Sequence, residues 1–175
     1  ISSVINYVDK ILVWDTGSTD STVRIIKFLQ KKYPSKIIFE EKGEVDAQGL
    51  TKLRQTMLDQ TKSDWFFILD GDEVWWKDSL KKILKIINEE GDKLYAIVNP
   101  TINLLGDIYH YQEEKGGKYE ILGQKGHLNI RAINKKISGF HIKGSYPLEA
   151  FYDGNGRLLQ EVSDKLKFVN APYMH

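Results

Sequence analysis

The sequence from Trp65 to Glu73 reads Trp-Phe-Phe-Ile-Leu-Asp-Gly-Asp-Glu, so five apolar residues run directly into three carboxylates and a glycine. An apolar run of this kind predicts a strand buried on both faces of a parallel sheet. Asp70 and Asp72 would then stand at the carboxyl end of that strand, where open α/β sheets bind ligands. Neighbouring carboxylates repel each other unless a cation lies between them, and Mg²⁺ and Mn²⁺ prefer carboxylate oxygens. The stretch therefore predicts a divalent-metal site at a strand end.

The Asp-Gly step at residues 70–71 also has a plainer interpretation, because Asp-Gly is a common hairpin turn. A hairpin requires a second strand directly after the turn. Residues 77–90 instead carry the apolar spacing of an amphipathic helix, and Gly91 is its expected end. The sequence therefore favours the metal site over the hairpin.

The composition is that of one ordinary globular domain, with 175 residues, 41% hydrophobic and 28% charged side chains and a net charge of +1. This charge balance gives no reason to expect a nucleic-acid partner. No cysteine is present, which excludes disulfides, thiolate metal ligands and cysteine nucleophiles. No apolar run approaches the roughly 18 residues of a membrane span. These features predict a cytoplasmic protein without a transmembrane segment, and they leave peripheral contact with a membrane open.

Strands and helices alternate along the first part of the chain. The predicted strands are 10–14, 37–40, 65–69 and 94–98, and the predicted helices begin after residues 20, 47 and 77. Asn99-Pro100 is the expected end of the last of these strands. This alternation predicts an α/β fold with a Rossmann-type, doubly wound, mostly parallel sheet and helices on both faces.

The sequence changes character after residue 100. Residues 103–126 are rich in glycine and charge and predict a mobile loop or hairpin. Short strands are expected near 127–133, 137–143, 149–152 and 157–159. The whole chain is interpreted as one domain, 1–175, in which a smaller C-terminal region of strands and loops, 100–175, follows the sheet-forming half, 1–99.

A second acidic strand end precedes the first one in the chain. The apolar stretch 10–14 ends at Asp15, and residues 16–22 continue as Thr-Gly-Ser-Thr-Asp-Ser-Thr. Gly17 suits a tight turn, and the hydroxyl and carboxylate side chains at 18–20 suit the start of a helix. Helix capping explains those polar residues, but it gives no role to Asp15.

The two acidic strand ends, in this order, resemble two sequence blocks of the family 2 glycosyltransferases, which have the GT-A fold. Residues 13–22, Val-Trp-Asp-Thr-Gly-Ser-Thr-Asp-Ser-Thr, are similar to the family's first block, and residues 66–73, Phe-Phe-Ile-Leu-Asp-Gly-Asp-Glu, are similar to its DxD-containing block. Arg54-Gln55 lies where the family often has Arg-Asn. The resemblance implies a nucleotide-sugar donor, expected to be a UDP-sugar, a Mn²⁺ or Mg²⁺ cofactor, and a glycan, lipid-linked or protein acceptor.

The resemblance also implies roles for individual residues. Asp15 would accept a hydrogen bond from the nucleotide base, and Asp70 would face the ribose or the donor sugar. Asp72 would bind the metal, and Arg54 would lie near the diphosphate or the donor sugar. Several GT-A enzymes use a late histidine as a further metal ligand, which implies that role for His175. The two acidic strand ends are expected to border one shared crevice.

An inverting sugar transfer requires one general base to take the proton of the acceptor hydroxyl. Three residues of the second half are candidates for this role: Glu149, His141 and Asp153. Glu149 is preferred, because it follows Ser145-Tyr146-Pro147-Leu148, a turn expected to project it beside the edge of the sheet. The family often has a His-Glu pair here, and this sequence departs from that pattern.

Three alternatives stay open at this point. Asp70-Gly71-Asp72-Glu73-Val74 also resembles the motif of haloacid-dehalogenase-type phosphatases, in which Asp70 would be a covalent nucleophile. That chemistry needs a later strand ending in paired acids, and the next strand ends at Asn99-Pro100. The second alternative is a sugar nucleotidyltransferase. The third is a domain that binds nucleotide-sugar or glycan without turnover. The family's opening strand is not seen before Ile1, so we expect either that it lies in a part of the natural protein outside this sequence or that part of the donor site is lacking.

Overall fold

A computed structural model describes residues 1–175 and contains three α-helices and fourteen β-strands. The helices are α1 (Thr22–Lys32), α2 (Ala47–Gln60) and α3 (Lys77–Glu90). The strands are β1 (Ile11–Asp15), β2 (Ile37–Glu41), β3 (Trp65–Phe67), β4 (Val74–Trp75), β5 (Ala96–Ile102), β6 (Leu104–Leu105), β7 (Asp107–Tyr111), β8 (Tyr119–Ile121), β9 (Gln124–Gly126), β10 (Leu128–Asn134), β11 (His141–Lys143), β12 (Ala150–Tyr152), β13 (Leu166–Phe168) and β14 (Tyr173–Met174). The longest helices have 14 residues, and none is long and apolar enough to cross a membrane.

The chain forms two compact units. The first comprises Ile1–Thr61 and Ile142–Ala150, and the second comprises Lys62–His141 and Phe151–His175. The prediction of one domain divided near residue 99 stays a prediction.

The first unit contains a β-α-β arrangement. Strands β1 and β2 pair in parallel, from Ile11 opposite Ile37 to Asp15 opposite Glu41. The connecting helix α1 buries Ile26. Helix α2 is capped by Asp46, whose side chain accepts a hydrogen bond from the backbone N–H of Gly49 at 2.6 Å and so satisfies one of the free donors of the first turn. The predicted strands and helices of this unit are confirmed.

The second unit is built on a mixed six-stranded sheet. Its strand order is β3-β10-β5-β14-β4, and β13 also pairs with β5. Strand β5 pairs in parallel with β13 and β14, whereas β10 is antiparallel to both β3 and β5, and β14 is antiparallel to β4. The core of this sheet includes Ala96, Val98 and Ile133, which are fully buried. Residues 103–126 form two hairpins, β6-β7 and β8-β9.

The mixed α/β class is confirmed, but several strand predictions are wrong in detail, including the short strand expected near 157–159, where no strand forms. The apolar run at 65–69 gives only the three-residue strand β3, which is half-buried and pairs antiparallel with β10. An apolar run does not reveal the direction of its partner, and here that partner arrives from more than sixty residues later. Strand β5 also continues through Asn99 and Pro100 to Ile102, and Pro100 stands opposite Leu128 in the register.

Candidate active site

Asp15 is buried at the end of β1 and holds the loop that follows it. Its Oδ2 accepts hydrogen bonds from the backbone N–H groups of Gly17 and Ser18, both at 3.0 Å. The Ser18 side chain and these amides lower the pKa of Asp15 below its ordinary value, against the opposing effect of burial. Asp15 is therefore an ionised acceptor in a fixed position, which is what recognition of an N–H group on a ligand requires.

The conformation of this loop depends on Gly17. Its φ of +103° lies in the region that favours glycine. A Cβ atom at this position would lie 2.8 Å from Cγ of Glu44, so the segment at Glu44 packs directly against the loop. The loop after β1 is thus shaped both by the backbone and by a close neighbour.

Arg54 and Glu149, which are far apart in the sequence, meet in the first unit. The guanidinium of Arg54, on α2, donates to Oε1 of Glu149 and lies 5.6 Å from the ring centroid of Tyr146. The Glu149 side chain is only 6% exposed, and its Oε2 is buried without a hydrogen-bond partner. A buried carboxylate oxygen without a partner has an unused capacity to accept a hydrogen bond or a proton. Glu149 is therefore not an exposed hairpin carboxylate.

The two other base candidates are engaged in their own turns. Asp153 is buried, and Arg157 donates to its Oδ2 from Nε at 2.8 Å. The backbone N–H groups of Asn155 and Arg157 donate to its Oδ1 at 2.9 and 3.0 Å. The pKa of Asp153 lies below its ordinary value, and the hydrogen bond from the Arg157 backbone is the largest cause. His141 Nδ1 lies 2.8 Å from the carbonyl oxygen of Gly139. Of the three candidates, Glu149 has the buried oxygen without a partner.

In the second unit, the turn between β3 and β4 is closed by Glu73. The backbone N–H of Asp70 donates to Oε2 of Glu73 at 3.4 Å, and the backbone N–H of Glu73 donates to the carbonyl oxygen of Asp70 at 3.2 Å. The Glu73 side chain is fully buried. Burial raises the pKa of Glu73, and the neighbouring charge of Arg131 opposes this effect.

Arg131 on β10 was not singled out by the sequence analysis, and it joins both ends of this turn. Its Nη2 donates to Oδ2 of Asp70 at 2.8 Å and also to Oε1 of Glu73. Its Nε donates to the hydroxyl of Tyr173 at 3.1 Å, and the Tyr173 ring stacks on Trp75 with centroids 4.4 Å apart. Its position in the alternating stretch 127–133 predicted only a half-buried strand, so no sequence signal marked the residue.

Asp72 and His175 lie beside each other because of strand pairing. Strand β4 begins directly after Glu73 and pairs antiparallel with β14, with Met174 opposite Val74. His175 Nε2 is consequently 3.4 Å from Asp72 Oδ2, and these side chains are 43% and 71% exposed. His175 is fixed by its backbone, since its N–H donates to Ile102 at 3.0 Å and its carbonyl accepts from Leu104 at 2.7 Å.

The Asp72–His175 pair would offer one carboxylate and one imidazole to a divalent cation. No group of three or more His, Cys, Asp or Glu side chains able to hold a metal is present, so the protein offers two donors at this point. Mg²⁺ sites commonly use one or two carboxylates and take their other ligands from substrate phosphates and water. An imidazole nitrogen beside a carboxylate also suits Mn²⁺. The exposure of both side chains leaves room for such additional ligands.

The comparisons with known proteins agree with the sequence blocks. The family model described as Glycosyl transferase family 2 matches residues 1–145, which include Asp15, Arg54, the turn at 70–73 and Arg131. The match ends before Glu149 and His175. No curated protein matches the chain. Since the family model covers most of the sequence, the chain belongs to glycosyl transferase family 2.

Proposed function

We propose that this protein is a metal-dependent, inverting glycosyltransferase that moves a sugar from a nucleoside-diphosphate donor, a UDP-sugar in the first instance, to an acceptor hydroxyl. The observation that carries the proposal is the Asp72–His175 pair beside the turn at 70–73 of a family 2 chain. A GT-A-like domain with a doubly wound sheet and helices on both faces is part of the proposal. The acceptor is a glycan, a lipid-linked sugar or a protein.

Three side chains are assigned to the donor. Asp15, as an ionised acceptor held by two backbone amides, would receive an N–H of the nucleotide base. Asp70, which is about one-third exposed, would receive hydroxyls of the ribose or of the donor sugar. Arg54 has a different partner in the structure, Glu149, so its proposed contact is with the sugar next to the general base and not with the diphosphate alone.

Asp72 and His175 would hold the Mn²⁺ or Mg²⁺ ion. When bound, such an ion stabilises the negative charge that develops on the departing nucleoside diphosphate. A carboxylate and an imidazole are sufficient protein ligands when the diphosphate supplies others.

Glu149 is the proposed general base. The acceptor oxygen would attack the anomeric carbon as the bond from that carbon to the phosphate oxygen breaks, and the hydroxyl proton would pass to Glu149 Oε2. This oxygen is buried and has no hydrogen-bond partner in the protein, while Oε1 is held by Arg54. Arg54 thereby fixes the orientation of the carboxylate, so that Oε2 is the oxygen left to accept the proton.

The alternatives from the sequence receive less support. A phosphatase would use Asp70 as its nucleophile, but Oδ2 of Asp70 accepts a hydrogen bond from Arg131, which lowers its nucleophilicity, and the chain belongs to family 2. A domain that binds nucleotide-sugar without turnover would keep Asp15 and Asp72, and it would not need a buried Glu149 oxygen without a partner. Turnover separates this alternative from the proposal.

A thermal-shift screen of nucleotide-sugars with and without Mn²⁺ tests the proposal. We expect a UDP-sugar to raise the unfolding temperature in the presence of Mn²⁺ and much less in its absence, because a ligand that binds the native state stabilises it. The matched control is Asp72→Asn, which keeps the shape of the side chain and removes its charge. Absence of any nucleotide-dependent shift, or an unchanged shift in Asp72→Asn, would contradict the proposed donor site.

A further inference from the structure

We propose that Arg131 is a positioning residue that keeps Asp70 from binding the cation, so that Asp72 and His175 remain the protein's metal-facing pair. The inference rests on the proposed function, because it concerns the metal assigned to that site. It adds a physical cause for the different roles that the proposed function gives to Asp70 and Asp72, which stand only two residues apart.

The pairing of β10 with β3 brings Arg131 to the turn. Strand β3 pairs with β10 through Phe67 opposite Ala132, and the backbone N–H of Ile68 donates to the carbonyl oxygen of Arg131 at 2.9 Å. Ile68 precedes Asp70 by two residues, so this pairing places the Arg131 side chain within reach of the carboxylates of Asp70 and Glu73. The contact is therefore set by the register of the sheet.

The Arg131 guanidinium donates hydrogen bonds to three side chains. Nη2 donates to Asp70 and Glu73, and Nε donates to Tyr173. The Arg131 side chain is only 13% exposed, and the Glu73 side chain is fully buried. Removal of Arg131 alone would leave the buried Glu73 carboxylate without its counter-charge, which is strongly destabilising. The ion pair with Glu73 thus fixes the Arg131 guanidinium, and the guanidinium in turn holds Asp70.

The exposure of the three carboxylates matches this division. Glu73 lies beneath the turn, Asp70 is one-third exposed and engaged by Arg131, and Asp72 is largely exposed beside His175. Without the Arg131 guanidinium in contact with Asp70, the carboxylates of Asp70 and Asp72 would compete for the same metal ion. Oδ2 of Asp70 accepts its hydrogen bond from the planar guanidinium of Arg131. The geometry of a guanidinium matches a carboxylate better than the ammonium group of a lysine does.

The test uses Mn²⁺ alone, with free Mn²⁺ counted by EPR during titration of the full chain. The variant is the double substitution Arg131→Met/Glu73→Gln, which removes one positive and one negative charge and leaves the net charge unchanged. We expect Mn²⁺ to bind this variant roughly 3- to 10-fold more tightly, because the Arg131 guanidinium no longer holds Oδ2 of Asp70 and this oxygen can serve as an additional ligand. Adding Asp70→Asn to the variant should return the affinity to the wild-type range.

A purely structural role for Arg131 predicts the opposite sign, because a loosened turn would weaken Mn²⁺ binding. The matched control is Arg157→Met/Asp153→Asn, which removes a comparable pair, with a buried carboxylate, from the same unit. Its Mn²⁺ affinity should be that of the wild type. Unchanged or weaker binding in Arg131→Met/Glu73→Gln would overturn the inference.

Single substitutions test the same idea if the double variant does not fold. In the wild-type background, Asp70→Asn should weaken Mn²⁺ binding far less than Asp72→Asn does. Equal losses in the two would overturn the inference and leave the metal site itself intact. If instead the wild type binds no Mn²⁺, or Asp72→Asn has no effect, the proposed function fails, so the two failures are distinguishable.

Discussion

His175 Nε2 lies 3.4 Å from Asp72 Oδ2, although these residues are separated by most of the second unit in sequence. Two short strands produce this contact, since β4 follows the turn at 70–73 and pairs with β14 directly before His175. An imidazole and a carboxylate at this distance offer a mixed nitrogen and oxygen donor pair to a cation. The central proposal depends on this pair.

The contribution of His175 can be measured separately from that of Asp72. We expect His175→Ala to weaken Mn²⁺-dependent UDP binding by about 10-fold, since the loss of one ligand is comparable to the loss of a charge-assisted contact. Isothermal titration of UDP at fixed Mn²⁺ measures this change. His141→Ala is the matched control, because His141 hydrogen-bonds to the backbone of Gly139 and has no assigned ligand. Equal effects of the two substitutions would contradict the role of His175.

The role of Glu149 predicts a separation of kcat from donor KM. Glu149→Gln should lower kcat by about 10²- to 10⁴-fold, the usual contribution of a general base, with little change in the KM of the donor. The measurement is initial-rate kinetics of sugar transfer. Asp153→Asn is the control, since Asp153 is engaged by Arg157 and the backbone of its own turn. A normal kcat in Glu149→Gln would exclude Glu149 as the base.

The buried carboxyl of Glu73 predicts a pH-dependent stability. Burial raises its pKa in the folded state above the ordinary value of 4.5, so the folded protein binds the proton more tightly than the unfolded chain does. The associated stabilisation is complete below pH 4.5 and is lost as the pH rises through the folded-state pKa. Relative to Glu73→Gln, which cannot titrate, the wild type should therefore lose free energy of unfolding as the pH rises above 4.5.

Urea unfolding between pH 4 and pH 8 measures this difference for the two proteins, with a slope of at most about 1.4 kcal/mol per pH unit for one proton. Glu120→Gln, which removes an exposed carboxylate on β8, is the control. A free energy of unfolding of the wild type that rises with pH relative to that of Glu73→Gln would contradict the direction of the pKa shift.

A comparison of Gly17, in the loop after β1, with Gly43, which follows β2, tests what shapes the first of these loops. Gly17 and Gly43 both have positive φ, so alanine at either position incurs roughly 1–2 kcal/mol of backbone strain. Only at Gly17 does the added Cβ meet a neighbour, at 2.8 Å from Cγ of Glu44, whereas nothing lies within 4 Å at Gly43. Gly17→Ala should thus be the more destabilising substitution, by about 1 kcal/mol or more.

Gly17→Ala should also weaken UDP binding, because the shifted loop moves the amides that hold Asp15. Chemical denaturation and UDP titration of both variants provide the two measurements. Equal stability of Gly17→Ala and Gly43→Ala would show that the contact with Glu44 does not constrain the loop.

Local features of this chain could be predicted from its sequence, and long-range pairings could not. The polar loop after Asp15 is closed by residues within three positions, so its composition already predicted the turn. The helices likewise follow from the spacing of their apolar residues. The contact of Arg54 with Glu149 spans 95 positions, and the approach of His175 to Asp72 depends on two-residue strands too short to leave a periodic pattern.

Arg131 shows the same limit from another direction. It occupies one position of an alternating strand, where an arginine ordinarily indicates a solvent-facing side. Its burial follows from the partner strand β3 and from two carboxylates that compensate its charge. The resemblance to family 2 implied a role for Asp72 and gave no indication that Arg131 contacts the same turn.

The most direct test of the central claim is release of UDP from UDP-sugars in the presence of Mn²⁺, measured for the wild type and for Asp72→Asn. We predict Mn²⁺-dependent release that increases when an acceptor is supplied and falls by at least about 100-fold in Asp72→Asn, as expected for a group that stabilises the charge of the leaving group. Release that needs no metal, or that is equal in the two proteins, would contradict the claim.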